Sequence, residues 1–142
     1  MLSLSHKNLD AYKISLKFIE EIYLSTRSFP KEEQFVIVSQ IRRAAISVCC
    51  NIAEGASRIS KKEKKRFYEI SRSSLVEVDT QFEIAIILAY YQKGQRKEME
   101  QYMESIFRIL SKMIRNLASK LTRHSPLPTS QPPLPTLQTP FP

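Results

Sequence analysis

Seven cations crowd into fifteen residues of this chain, Arg58, Lys61, Lys62, Lys64, Lys65, Arg66 and Arg72, opposed only by Glu63 and Glu69. That local excess supplies most of a formal net charge of +8 over 142 residues. On a helical wheel Lys61, Lys65, Arg72 and Arg58 fall within about 60° of one another, with Lys62 about 100° round and Phe67, Ile70, Val78 and Ala85 on the far side. The first turns of a helix disfavour cations by roughly 0.3–1 kcal/mol each at low salt. Cations placed against that preference point to a polyanion, RNA or DNA, held through its phosphates without regard to sequence. The competing reading is a solvated face that keeps a basic protein in solution. Arg42, Arg43, Arg108, Lys112 and Arg115 are further candidates for phosphate contact.

Enzyme chemistry finds little to work with. His6 and His124 are the only histidines, and both lie near the ends of the region that can fold. No helix core contains a histidine, so the Glu-x-x-His pairs of a di-iron bundle are missing, and a zinc site lacks ligands at workable spacing. Cys49 and Cys50 are adjacent, in an apolar stretch without a nearby base, and read as core thiols of a protein in a reducing cytoplasm. Two glycines, Gly55 and Gly94, cannot build a phosphate-binding loop of either common Gly-rich type. The chain is expected to be non-catalytic, with no metal and no cofactor.

The basic run must be carried on something rigid, and helical periodicity supplies it. Leu9, Tyr12, Leu16, Ile19 and Tyr23 recur at 3-4-3-4 spacing, widened by Ile14, Phe18 and Ile22. The spacing predicts helices over residues 8–26, 31–54, 61–93 and 95–121. Pro30 suits the start of the second, Gly55 its C-terminal cap, and Ser60-x-x-Glu63 is a capping box for the third. Met99, Met103, Ile106, Leu110, Met113 and Leu117 form a heptad seam on the fourth. Short links make this an all-α, up-down-up-down four-helix bundle over residues 1–122. Residues 123–142 hold seven prolines and no acid, and are expected to form a flexible, polyproline-like tail.

Two further expectations concern packing. Phe35–Val38, Ile41, Ala44–Ile46, Val48–Cys50, Ile52 and Ala53 wrap most of the second helix, and Ile84–Tyr91 does the same at the end of the third. A helix apolar all round is buried on more than one side, so the bundle is expected to be a homo-oligomer. The longest unbroken apolar run is eight residues, and the N-terminus lacks the pattern of a signal peptide, so no membrane partner is expected. Helices two and three, antiparallel about a turn at Ser57–Arg58, pair Gln40 with Glu77, Ala44 with Ser74, Ser47 with Ile70 and Asn51 with Phe67. Gln40, Arg43, Asn51, Glu54 and Glu77 then read as structural polar residues, with Glu77 partly buried.

The order Asn8-Leu9, Phe29-Pro30-Lys31-Glu32-Glu33, Ser39-Gln40-Ile41-Arg42-Arg43-Ala44 and Asn51-Ile52-Ala53-Glu54-Gly55-Ala56-Ser57-Arg58 resembles a bacterial four-helix-bundle family encoded by intervening sequences in 23S ribosomal RNA genes. The family includes the accessory variability determinant of diversity-generating retroelements. Ser73-Ser74-Leu75-Val76-Glu77 is similar to its G-S-L-x-E segment, with Ser73 in place of glycine. The resemblance implies a cytoplasmic homopentamer with a basic surface. For the retroelement branch it implies binding of a structured RNA and a reverse transcriptase. The residues do not separate that branch from the rRNA intervening-sequence branch.

Overall fold

The computed structural model describes residues 1–123, and among them there are four long helices and no strand. Helix α1 spans Asp10–Thr26, α2 Ser39–Ser57, α3 Lys61–Ile87 and α4 Lys97–Thr122. A 3-10 turn, Ser5–Asn8, precedes α1. Helix α2 packs on α1 and α3, and α4 closes the ring against α3 and α1, the up-down-up-down order that short links favour. The expected proline-rich tail and His124 lie outside the described residues, which reach Arg123.

The core is drawn from all four helices. Phe18, Ile22, Ile41, Val48, Ile52, Leu75, Val78, Met99, Ile106 and Leu110 are each exposed by 1% or less. The heptad seam on α4 faces inward as its spacing required. The stripe on α1 is rotated from expectation: Phe18 and Ile22 are its centre, while Leu16 and Tyr23 are exposed. Small polar residues cause the rotation. Ala11, Ser15 and Ser25 are buried on the same face as Phe18, and the hydroxyls of Ser15 and Ser25 donate to the Tyr12 and Glu21 carbonyls at 2.7 Å. A buried serine that bonds its own helix costs little and allows close approach.

Helix α2 departs from expectation at both ends. Its start is irregular, with a 3-10 turn over Lys31–Glu33 and a π-helical turn over Gln34–Val38. Its finish runs past Gly55 to Ser57, so Gly55 is an interior residue and not a cap. A Cβ built on Gly55 would lie 2.7 Å from Tyr68 Cε1 and 2.9 Å from Cδ1. Glycine is there to let α3 approach. The α2–α3 pairing centres about two residues later than expected, so the register slides by about one helical turn. Ser47 Oγ meets Ser74 Oγ at 2.9 Å in place of Ile70, and Ser71 Oγ donates to the Val48 carbonyl at 2.7 Å.

Helix α3 was expected to run to Lys93 and stops at Ile87. The amide N–H of Tyr90 reaches the Ala85 carbonyl at 2.8 Å and that of Ala89 reaches Ile86 at 3.1 Å, the paired bonds of a Schellman closure. Ala89 occupies the left-handed position, φ 60°, that glycine normally fills. Gly94, also at positive φ, belongs to the turn that follows. Tyrosines hold this connection in place. Tyr91 packs edge-on against Phe82 at 4.8 Å, donates its hydroxyl to Glu100 at 2.8 Å and accepts from the Arg96 N–H. Burial, then the bond to Glu100, pushes its phenol well above the ordinary range, so it stays protonated. The Arg96 guanidinium in turn grips Glu21 of α1 at 2.6 and 3.0 Å.

The continuous stretch Lys31–Ser57 is long and apolar enough to cross a bilayer by length and composition, which the eight-residue run did not suggest. Arg42 and Arg43 interrupt the apolar sequence, and its Ile41, Ala45, Val48 and Ile52 are fully buried against the other helices. That pattern is that of a central bundle helix.

Gly55 and Ala89 generate opposite mutational expectations. Gly55→Ala should lower stability by up to about 2 kcal/mol, because overpacking of roughly 1–3 kcal/mol opposes the roughly 1 kcal/mol helix preference for alanine. Ala89→Gly should raise stability by about 0.5–1 kcal/mol by relieving the left-handed backbone. Urea unfolding followed by circular dichroism checks both; a stabilised Gly55→Ala would mean that Tyr68 is free to move aside.

Candidate nucleic-acid interface

Ser60 starts the helix that carries the basic run. Its hydroxyl accepts the Glu63 N–H at 3.3 Å, half of the expected capping box. The seven cations then sort by what they touch. Lys64 turns back, its ammonium 2.9 Å from the Ala56 carbonyl and 3.4 Å from that of Gly55, and so caps the last turn of α2. Arg58 pairs with Glu54 at 3.2 Å and lies 4.7 Å over the Phe67 ring. Arg66 flanks the same ring at 5.8 Å. Lys65 bonds Glu69 at 2.7 Å. Arg72 donates to Ser111 of α4 at 3.3 Å and sits 5.9 Å from the Phe107 ring. Lys61 and Lys62 are exposed and make no ion pair or hydrogen bond among the described residues. Lys61, Lys62 and Arg66 are therefore the cations of the run without an ion pair or hydrogen bond among the described residues, while Lys64 and Arg72 tie helices together.

Antiparallel packing adds cations that the sequence scatters. The end of the bundle built from residues 1–17, 49–74 and 110–123 holds fourteen Lys and Arg against four acids. The opposite end, residues 18–48 and 75–109, holds eight against ten. Lys112 and Arg115, secondary candidates in the sequence, are exposed on α4 at the basic end. Lys7, Lys13, Lys17, Lys120 and Arg123 also lie there and were not singled out. The signal was present, because an up-down order brings α1 N-terminal, α2 C-terminal, α3 N-terminal and α4 C-terminal residues together. Arg42, Arg43 and Arg108 fall in the other half. Arg42 donates to Thr26 at 3.0 Å and stacks over Tyr23 at 4.3 Å.

The polar layer expected inside the bundle is not there. Gln40, Arg43, Glu54 and Glu77 are exposed, and Asn51 is half-buried, donating to Ser47 Oγ at 3.0 Å and its carbonyl at 2.8 Å. The register shift explains this, since serines fill the α2–α3 seam in place of the longer groups. The buried amide is Gln81, 6% exposed, which donates to Glu77 at 3.3 Å. Cys49 is buried, and desolvation raises its thiol pKa against a smaller opposing bond to Ser15. Cys50, expected in the core, is exposed. Among the described residues no three His, Cys, Asp or Glu side chains gather into a metal-binding group.

Residues 7–112 match the family described as 23S rRNA-intervening sequence protein. No curated protein matches the chain. A crystal structure from Bacteroides thetaiotaomicron, described as a protein with unknown function from the S23 ribosomal protein family, shares the fold with a TM-score of 0.64. It is 23% identical, over 73% of this chain and 90% of that one.

The division of labour among the lysines is testable by melting. Lys64→Met should cost about 1 kcal/mol through the uncapped α2 carbonyls. Lys61→Gln and Lys62→Gln should leave the transition within error. Equal losses at all three positions would contradict the division.

Proposed function

The chain belongs to the 23S rRNA-intervening sequence protein family, and on that premise we propose that it is a non-catalytic, cytoplasmic homo-oligomer that binds nucleic acid through its basic end. The observation that carries the reading is the charge polarity of the bundle, fourteen cations against four acids at one end. A duplex or folded RNA presents closely spaced phosphates, and a cluster of exposed lysines and arginines on rigid helices displaces their counterions without reading bases. Structured RNA is the favoured ligand, with the protein serving as accessory to a retroelement reverse transcriptase. A reverse-transcriptase gene with a template repeat beside this one would support that role, and a location inside a 23S rRNA gene would support the intervening-sequence branch.

Assembly is supported by a separate patch. Phe35 is 90% exposed, Ile87 81%, and Val36, Ile84 and Leu88 are also open to solvent. The hydrogen bond from the Tyr90 hydroxyl to Glu33, 3.2 Å, holds the two segments of this patch at the same end of the bundle. Large apolar side chains so exposed mark an interface between subunits. Copies arranged side by side about one axis, as in a pentamer, would gather their basic ends on one face of the ring.

Two measurements test the reading. With a labelled RNA hairpin, the Lys61→Gln, Lys62→Gln, Lys112→Gln, Arg115→Gln variant should bind at least tenfold more weakly. Its log K against log salt slope should be shallower by about 3, at roughly 0.7–0.9 per phosphate. Unchanged affinity, or binding indifferent to salt, would remove the basic end from the account. In light scattering, Phe35→Asp and Ile87→Asp should shift the protein toward the 16.5 kDa monomer with helicity kept; a monomeric wild type would refute the assembly.

A further inference from the structure

The acidic end carries a feature that nucleic-acid binding does not use. Between the C-terminal half of α3 and the N-terminal half of α4 runs an open groove of about 560 Å³. Its floor is apolar, with Leu75, Phe82, Met99 and Met103, and Val76 and Phe107 lie half open at its side. Its rim carries Asp79, Glu83 and Glu104, all exposed and none in an ion pair among the described residues. Glu100 is already committed to Tyr91 and the Gly94 N–H, and Lys93 is the one cation on the lining.

The geometry points to a docking site for an amphipathic, basic α-helix of a partner protein. Two antiparallel helices leave between them the furrow into which a third helix packs, its apolar stripe on the floor. Methionine and half-exposed phenylalanine suit such a stripe, because the thioether adapts to the shape of its partner. Three unpaired carboxylates in an otherwise cationic protein choose the sign of the flanking residues, and repel nucleic acid and acidic helices alike. The length fits as well: α3 from Leu75 to Ile86 offers about three turns, or roughly 17 Å. The chain would thereby join a polyanion at one end to a protein at the other.

The probe is a fluorescent 18-residue peptide with leucine at i, i+3, i+4 and i+7 and lysine elsewhere. Anisotropy is read against a glutamate version and a scrambled lysine version of equal charge. The basic amphipathic peptide should bind at least tenfold more tightly than either control. The Asp79→Lys, Glu83→Lys, Glu104→Lys variant should lose at least tenfold, and Phe107→Ser severalfold. Melting should be retained and affinity for the RNA hairpin should not fall, so failure here is distinguishable from failure of the nucleic-acid reading. Equal binding of the scrambled peptide, or an unaffected charge-reversal variant, would overturn the proposal. So would a peptide that binds only the Ile87→Asp variant, which would assign the groove to a second copy of the chain.

Discussion

The contact on which the molecule depends is the approach of α3 to α2 at Gly55. The Tyr68 ring occupies the volume that a Cβ would take, so α3 packs tightly on α2 where the chain has just turned between them. That closeness brings Ser47 to Ser74 and Ser71 to the Val48 carbonyl further along the seam, each hydroxyl satisfied by a hydrogen bond across it. It also brings Lys64 beneath the last carbonyls of α2. The orientation of the first three turns of α3, and with it the direction in which Lys61 and Lys62 project, follows from a glycine.

Much of the architecture was legible in the residues. The 3-4 spacing of the first and last stretches, and Pro30 and the apolar run after it, became helices, the Ser60–Glu63 spacing marked the start of α3, and the Met/Ile/Leu heptad on α4 faced the core. Periodicity sees side-chain polarity and little else. It could not see that Ser15 and Ser71 count as interior, because their hydroxyls bond backbone carbonyls within or between helices and cease to be polar outward. It could not assign Gly55 to packing, since a glycine near a helix end has an equally good reading as a cap. Nor could it end α3 at Ile87, because the left-handed position there holds alanine, with no turn-forming residue to signal it. The irregular start of α2 left no mark at all.

The candidate interface divides in the same way. The run from Arg58 to Arg72 stood out because its charges are adjacent in sequence. On α4 only Lys112 and Arg115 were legible, as secondary candidates, and Lys120 and Arg123 were not, since these cations are spaced among apolar residues and join the cluster only when the helices fold antiparallel. Conversely, proximity in sequence exaggerated the run. Lys64 and Arg72 bond neighbouring helices, and Arg58 and Lys65 have carboxylate partners. What a count of charges treats as one patch, the fold separates into structural ties and free donors.

The separation of charge along the bundle has an electrostatic consequence. Helix α4, at 26 residues, is about 39 Å long. The two halves of the bundle have their charge centres about half that length apart, roughly 20 Å, which is two to three screening lengths at the Debye length of about 8 Å for physiological ionic strength. Each half is therefore largely screened from the other. The excess of acids in one half takes little from the attraction of the other for an anion, and a net charge of +8 understates the field that an approaching phosphate chain meets.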